Sequence, residues 1–241
     1  MNLLRVVATL SILMPAIASS AEERIFRSGP AQITLVELFT SEGCSSGPPA
    51  EEWLNMLKDA PGLWRDFVPV AFHVNYWDRL GWKDALATPG FTERQHAYAA
   101  AWRASSVYTP GFVRNGAEWR PRGAAPEAGK STDGGALTLR WRSSDRTALV
   151  ESSSAAGDLE VHVALLGGGI VNAVKRGENS GRTLRHEFVA LRLESAALRE
   201  GRATLALPPR TDLKVSRHAV AAWITRRGSL TATQAVGGWI D

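Results

Sequence analysis

The sequence predicts an α/β domain followed by a mostly antiparallel, sandwich-like β domain. In the first half, apolar strand-like runs alternate with segments of helical spacing, whereas strand-like runs separated by turn residues fill the second half. Between them, residues 121–135 are rich in Pro, Gly, Ala and Ser and show no periodicity, which indicates a boundary. We therefore expect one domain over residues 22–125 and a second over residues 126–241.

Residues 1–21 have the pattern of a secretory signal peptide. Arg5 gives a basic start, residues 6–14 are almost wholly apolar, Pro15 ends that run, and small residues follow it. The apolar run is shorter than the roughly 20 residues that span a bilayer, although an uncleaved anchor is the alternative. We expect a bacterial protein that is exported, periplasmic or secreted, with no stable membrane insertion after signal cleavage.

The first half contains elements in the order strand, helix, strand, helix, hairpin. Both predicted helices carry proline in the first turn, a position that suits it because its missing N–H costs nothing there. Thr88 is a suitable cap for the second helix. Asn115-Gly116 is the dipeptide that type I′ hairpin turns prefer. The predicted elements are strands 33–39 and 67–74, helices 48–60 and 88–102, and a hairpin over residues 112–120. This order is that of thioredoxin-like domains, with a helical and aromatic insertion before the second helix.

The second half reads as a series of short strands. The predicted strands are residues 137–141, 159–166, 184–193, 203–207, 219–225 and 232–236. Several strands at such spacing are typical of an antiparallel sandwich. No metal-ligand spacing, phosphate-binding loop or paired carboxylates are apparent in this half. For the whole chain we expect neither a metal nor a cofactor.

Charge and cysteine content exclude some functions. The formal net charge of +4 falls to +3 when Arg5 leaves with the signal, and it is too mild to indicate nucleic-acid binding. The single cysteine, Cys44, cannot form a disulfide within the chain. A lone thiol in an oxidising compartment is either buried and inert, paired with another molecule, or reactive.

Cys44 lies where an apolar strand gives way to a helix. At a helix start, unpaired N–H groups and the helix dipole favour a thiolate, which is the nucleophilic form of cysteine. Donors there would be the Gly47 N–H and the hydroxyls of Ser45 and Ser46. We therefore expect a partly exposed, reactive thiol; the alternative is a small buried hydrophobic residue. Gly47 occupies the position where two-thiol sites carry the second cysteine.

Two further features bear on this thiol. In thioredoxin-like proteins a cis proline after Thr or Val faces the active-site loop, so we expect Thr109 and Pro110 to lie beside Cys44 with Pro110 in the cis form. Glu37, seven positions before Cys44, is a candidate catalytic base. The alternative for Glu37 is a structural ion pair or solvent contact.

A polar and aromatic cluster follows the second predicted strand. It consists of His73, Tyr76, Trp77, Asp78 and Trp82. These residues either line a substrate cleft beside Cys44, together with Ser45, Ser46 and Gly47, or pack the insertion onto the domain. The remaining histidines of the mature chain are expected to be surface or satisfied residues rather than ligands: His96, His162, His186 and His218.

Several motifs resemble one bacterial family. They are residues 36–46 (VELFTSEGCSS), 72–78 (FHVNYWD), 81–84 (GWKD), 106–110 (SVYTP) and 177–184 (GENSGRTL). They are similar to domain of unknown function 1223, a set of secreted proteins, and the resemblance runs from about residue 33 to the end. It implies a thioredoxin-like domain followed by a β-rich one, and a Cys-Ser-Ser-Cys site from which Gly47 departs.

Three function classes follow from these observations. The first is monothiol thiol–disulfide exchange through Cys44, of reduced competence because the resolving cysteine is absent, with a thiol- or disulfide-bearing protein or a small thiol as partner. The second is a non-catalytic module that binds an extracytoplasmic protein or peptide. A single-cysteine peroxidase is weaker, because Thr40 stands too far from Cys44 for that motif and no matching proline precedes it.

Overall fold

Strands dominate the computed structural model, which describes residues 22–154 and 156–241. The predicted signal peptide, residues 1–21, lies outside the described residues. The described part contains two α-helices, α1 (Gly47–Met56) and α2 (Pro89–Trp102), and two short 3-10 helices, Leu57–Asp59 and Asp78–Leu80. Its strands are β1 (Glu23–Arg27), β2 (Thr34–Thr40), β3 (Phe67–His73), β4 (Gly111–Arg114), β5 (Ala117–Trp119), β6 (Leu137–Arg142), β7 (Thr147–Ser152), β8 (Leu159–Gly168), β9 (Ile170–Ala173), β10 (Thr183–His186), β11 (Val189–Ala197), β12 (Arg202–Ala206), β13 (Arg217–Arg226) and β14 (Gln234–Trp239).

Local sequence signals account for the helices and the first hairpin. Thr88 caps α2 by accepting a hydrogen bond from the Phe91 N–H at 3.3 Å, and prolines occupy the first turns of both helices. Asn115 and Gly116, both with positive φ, form the turn between β4 and β5. A Cβ on Gly116 would also lie 2.7 Å from the Thr231 Cα, so glycine is required there. These three predictions are confirmed.

The fold-class prediction, a thioredoxin-like α/β domain followed by a β sandwich, is wrong. Eight strands form one sheet in the order β14-β13-β8-β11-β3-β2-β4-β5, with strands from both halves of the chain. The junction is the parallel pairing of β11 with β3, where Val189 lies opposite Ala71. β8 and β13 are buried on both faces, which is typical of central strands, and periodicity alone does not show which strands lie beside them.

A second sheet covers part of the first. It has the order β1-β6-β7-β12, so the first strand of the described chain pairs with β6 from the later half. Leu139, Trp141 and Val150 of this sheet pack in one buried cluster with Val163 and Val220 of the larger sheet. Apolar packing between the two sheets is therefore the main core of the later half.

One predicted strand of the later half also needs correction. The predicted strand 184–193 is two strands, β10 and β11, because the chain turns at Phe188, which has φ of 58°. β9 and β10 pair as a separate hairpin that packs against α1. The sequence pattern does not predict β1, β7 or β9. The β9–β10 hairpin, which lies beside α1, borders the candidate functional site.

Candidate functional site

Two side chains of the β9–β10 connection hold the loop between β2 and α1 in place. The Asn179 side-chain amide donates to the backbone carbonyls of Glu42 and Cys44 at 2.8 and 2.9 Å. The Glu178 carboxylate accepts from the Ser45 N–H at 2.9 Å, and this contact lowers the pKa of Glu178. A loop that carries the only cysteine is therefore fixed by side chains more than a hundred residues away along the chain.

Cys44 is buried, with 2% of its surface exposed, so the expectation of a partly exposed thiol is wrong. The next two residues, Ser45 and Ser46, are exposed, and Thr109 is half-buried. The thiol donates to the backbone carbonyl of Thr109, with Sγ and oxygen 3.7 Å apart. The thiol thus faces a polar backbone group.

Thr109 and Pro110 lie beside Cys44, as expected, and the peptide bond between them is cis, which confirms that prediction. The Trp77 indole donates to the Thr109 hydroxyl at 2.7 Å. Trp77 also approaches the cysteine loop so closely that a Cβ on Gly43 would lie 2.9 Å from the Trp77 Cβ. The structure therefore groups four residues beside Cys44: Gly43, Trp77, Thr109 and Pro110.

Tyr76 completes the surroundings of Thr109. Its hydroxyl donates to the Gln95 amide oxygen at 3.2 Å, while the Gln95 amide donates to the Tyr108 carbonyl at 2.7 Å. Burial raises the pKa of Tyr76, so this phenol is a neutral donor at ordinary pH. Tyr76 and Trp77 are half-buried, which leaves part of each ring in contact with solvent next to the cysteine loop.

Gly47 opens α1 directly below the cysteine loop. Its N–H donates to the Cys44 carbonyl at 3.0 Å. A Cβ at this position would lie 2.9 Å from the Thr40 hydroxyl oxygen and 3.3 Å from the Ser41 carbonyl oxygen. The space beside Gly47 therefore points into the molecule, toward the side chains of Thr40 and Glu51.

Below the loop lies a group that we call the acid–histidine cluster. It consists of Glu42, Glu51, His73, Asp84 and His186, and all five are buried. His186 contacts Glu51 through Nδ1 at 2.5 Å and Glu42 through Nε2 at 3.0 Å. Burial alone would lower the pKa of His186, but Glu51 and Glu42 outweigh it and raise that pKa to about 10. Burial raises the pKa of Glu51, but His186 outweighs burial, so the pKa of Glu51 is lowered.

His73 and Asp84 form the second pair of the cluster. His73 Nδ1 lies 2.7 Å from an Asp84 oxygen, and Asp84 also accepts from the N–H groups of Glu42 and Leu86. Burial lowers the pKa of His73, but Asp84 opposes it and the net shift is upward. Burial raises the pKa of Asp84, but His73 opposes it and the net shift is downward. The His73 and His186 rings meet edge to face, with centroids 5.1 Å apart.

The predicted substrate-binding residues therefore divide into two groups. His73 is fully buried within the acid–histidine cluster, and Trp82 contacts that cluster by donating to the Glu42 carboxylate at 2.8 Å. Tyr76 and Trp77 adjoin the Thr109 side of Cys44. Burial raises the pKa of Asp78, whose carboxylate accepts from the Asp84 N–H at 3.2 Å.

Glu37, the proposed catalytic base, lies on the other face of the sheet. Alternation along β2 directs Thr40 toward α1 and Glu37 toward α2. The Glu37 oxygens accept from Arg94 at 2.7 Å and from the Tyr98 hydroxyl at 2.5 Å. Burial, reinforced by Glu37, raises the pKa of Tyr98 well above its ordinary value. These contacts favour a structural ion pair over a base for Cys44.

Sequence reasoning missed most of the acid–histidine cluster. Glu42, Glu51 and Asp84 had no assigned role, and His186 was grouped with scattered histidines. One signal was available, because the motifs at residues 81–84 and 177–184 supply Trp82, Asp84, Glu178 and Asn179 to this region.

Comparison with known proteins identifies the fold and the family. The crystal structure of protein AGR_C_4864 from Agrobacterium tumefaciens is similar, with a TM-score of 0.61 and 22% identity over 88% of this chain and 94% of that one. HBP35 of Porphyromonas gingivalis is also similar, with a TM-score of 0.57 and 14% identity over 89% of this chain and 77% of that one. At these identities the two likenesses concern the fold alone.

No curated protein matches the chain. Among the residues that the structure describes, no helix combines the length and apolarity needed to cross a membrane. The sequence profile described as "Protein of unknown function (DUF1223)" matches residues 35–225, which is most of the chain, and the chain therefore belongs to that family.

Proposed function

We propose that this chain carries out monothiol thiol–disulfide exchange through Cys44. The observation that supports this most directly is the position of the Cys44 sulfur, 3.7 Å from the Thr109 carbonyl and one residue from exposed Ser45. A sulfur in that position contacts the backbone of half-buried Thr109 and precedes two exposed residues. Small displacement of the loop would open it to a partner disulfide.

The proposed reaction proceeds in two exchanges. The Cys44 thiol first loses its proton to solvent. The resulting thiolate attacks a disulfide R–S–S–R′, forms a Cys44–S–S–R bond and releases R′ as a thiolate. A second thiol, R″–SH, then attacks the mixed disulfide through its thiolate, forms R–S–S–R″ and returns Cys44 to its reduced form. Over the cycle R′ is reduced and R″ is oxidised, while the protein is unchanged.

The absence of a second cysteine requires that the resolving thiol come from another molecule. By resemblance to its family, Gly47 stands where a second cysteine is usual. A thiol-bearing protein or a small thiol would therefore complete the cycle, and the reaction would be slower than that of a two-cysteine site. Partner contacts would be made by the half-buried rings of Tyr76 and Trp77 beside Thr109.

Export remains part of the proposal. It is supported by the basic, apolar and small-residue pattern of residues 1–21. In a bacterial periplasm or outside the cell, disulfides persist and would supply the substrate of the exchange.

The burial of Cys44 favours a second candidate, a non-catalytic module that binds an extracytoplasmic protein or peptide. With 2% of its surface exposed, a thiol that never leaves this position would be chemically inert. Half-buried Tyr76 and Trp77 would then serve as contact surface without covalent chemistry.

Alkylation with iodoacetamide separates the two candidates. The rate would be measured across pH on the folded chain and again in denaturant, with Cys44→Ser as the control for labelling elsewhere. Thiol exchange predicts that the folded protein is alkylated near neutral pH, and that Cys44 is isolated from producing cells as a mixed disulfide. Labelling that occurs only after unfolding would support the binding module and contradict exchange.

A further inference from the structure

We propose that Glu51, His73 and His186 bind one divalent first-row metal ion, with Zn²⁺ as the best-fitting species. The three residues come from α1, β3 and β10, and one ligand atom of each lies within 4.8 Å of the others. Two imidazole nitrogens and one carboxylate oxygen are a donor set that Zn²⁺ accepts in proteins. This site does not depend on thiol exchange at Cys44, which is not among its ligands.

His73 carries an unused nitrogen in this group. Its ring is fully buried, Nδ1 is engaged by Asp84 at 2.7 Å, and Nε2 meets no hydrogen-bond partner in residues 22–154 and 156–241. An unsatisfied buried polar atom costs about 1–3 kcal/mol and calls for an explanation. When neutral His73 donates its Nδ1 proton to Asp84, the lone pair stays on Nε2, where a metal can take it.

Both histidines have the outer partner that metal ligands usually have. Metal-binding histidines commonly donate their second ring N–H to a carboxylate, which fixes the ring and its tautomer. Asp84 fills this role for His73, and Glu42, 3.0 Å from Nε2, fills it for His186. Each carboxylate is itself fixed, Asp84 by two backbone N–H groups and Glu42 by the Trp82 indole.

The charge of the cluster also favours a cation. Glu42, Glu51 and Asp84 are three carboxylates, and in the described part of the chain their ion-pair partners are His73 and His186, not Lys or Arg. Buried charges require pairing or metal coordination. Both imidazoles must give up a proton to bind the ion, which then offsets two of the three negative charges.

The metal would enter from a cleft between α1 and the β9–β10 hairpin. The cleft has a volume of about 850 Å³, and Glu51 and His186 form part of its lining. Zn²⁺ held by three protein ligands keeps a further position for water or a substrate oxygen. To admit the ion, the 2.5 Å contact between Glu51 and His186 must widen to roughly 3.3–3.6 Å, given a tetrahedral ion with metal–ligand bonds of about 2.0–2.2 Å.

Calorimetry with Zn²⁺ tests this site on the chelator-treated, folded chain. We expect one ion per chain. His73→Gln and His186→Gln should each weaken binding more than about 100-fold, and Asp84→Asn by roughly 10- to 100-fold. His96→Gln and Cys44→Ser should leave the affinity unchanged, so loss of thiol chemistry in Cys44→Ser does not affect this readout.

A second measurement on the natural chain covers variants that fail to fold. Bound Zn²⁺ should raise the unfolding temperature, and a chelator should reverse the rise. Co²⁺ in its place should give ligand-field absorption without a thiolate charge-transfer band. The proposal is overturned if the folded natural chain shows neither binding nor a Zn²⁺-dependent rise, if a thiolate band appears, or if folded histidine variants bind as tightly as the natural chain.

Discussion

The sulfur of Cys44 lies 3.7 Å from the carbonyl oxygen of Thr109, although 65 positions separate these residues in the sequence. Thr109 is fixed in turn by the Trp77 indole, which donates to its hydroxyl at 2.7 Å. The environment of the thiol is therefore set by three separate segments of chain. A change in any one of them should alter access to the sulfur.

Replacing Trp77 by Phe tests this relationship. Phenylalanine keeps the Cβ that lies against Gly43 but removes the indole donor to Thr109. A net hydrogen-bond contribution of about 0.5–1.5 kcal/mol corresponds to roughly a 2- to 12-fold faster alkylation of Cys44 in the folded protein. Trp102→Phe, which removes an indole donor to Gly116, is the matched control, and equal rates in both variants and the natural chain would contradict the prediction.

Gly47→Cys should introduce catalytic insulin reduction that the natural chain lacks. The Gly47 N–H donates to the Cys44 carbonyl, so the two residues flank a tight turn with Cα atoms within about 7 Å, compatible with a disulfide. The added Cβ would crowd Thr40, so we expect a stability loss of roughly 1–3 kcal/mol.

Gly47→Ala is the control for that crowding, because it adds the Cβ without the sulfur. It should be destabilised to a similar degree and remain inactive toward insulin. Insulin reduction by the natural chain would show that one thiol is sufficient. Inactivity of a folded Gly47→Cys variant would show that the turn does not support a two-cysteine site.

Arg94→Met should destabilise the fold strongly. It leaves the fully buried Glu37 carboxylate with the Tyr98 hydroxyl and without its cation, and breaking a buried pair this way costs roughly 3–5 kcal/mol. Denaturant unfolding would measure the loss, and Asp158→Asn, which breaks the exposed pair with Arg227, should have little effect.

Glu37→Gln separates the structural role of Glu37 from a catalytic one. If the carboxylate only pairs with Arg94, the variant should lose stability but keep the pH profile of Cys44 alkylation in the folded state. A shifted pH profile in a folded Glu37→Gln protein would instead support Glu37 as a base for the thiol.

His162 predicts a loss of stability in mild acid. Burial, assisted by Arg94, lowers the pKa of His162 to about 3 from an ordinary value of 6.5. At pH values between about 3 and 6.5, His162 is protonated in the unfolded chain but not in the folded chain. The free energy of unfolding should therefore fall as pH falls below 6.5, at roughly 1.4 kcal/mol per pH unit from this group.

Denaturant unfolding between pH 5 and 6.5 would measure that slope, a window that lies above the ordinary pKa values of the carboxyl groups. His162→Gln retains hydrogen-bonding capacity toward Ser195 and Thr225 but does not titrate, so its slope should be smaller by about one proton. An unchanged slope in the variant would assign the acid sensitivity to other groups.

The local structure was largely predictable from the sequence, but the topology was not. The cap at Thr88 and the turn at Asn115-Gly116 are signals within a few residues, and both elements formed as predicted. The pairing of Val189 with Ala71 joins distant segments, and nothing in the pattern of either strand specifies the other. The predicted fold class failed at that junction, because strands from both halves of the chain share one sheet.

The candidate site likewise contains contacts that could be predicted and contacts between distant segments that could not. Cys44, Thr109 and Pro110 were placed together by a family resemblance and do meet in the structure. Glu42 and His186 are 144 positions apart, and His186 lies outside the motif at residues 177–184, so their contact could not be deduced from spacing. The surroundings of Cys44 could not be deduced either, because the loop that carries it contacts Asn179, 135 positions away in the sequence.

Reaction of the folded chain with an aromatic disulfide reagent that releases a coloured thiolate tests exchange at Cys44 most directly. Monothiol exchange predicts one equivalent of thiolate per chain, a mixed disulfide at Cys44 seen by mass spectrometry, and regeneration of Cys44 when a small thiol is added. No release from the folded protein, followed by one equivalent on unfolding, would contradict it.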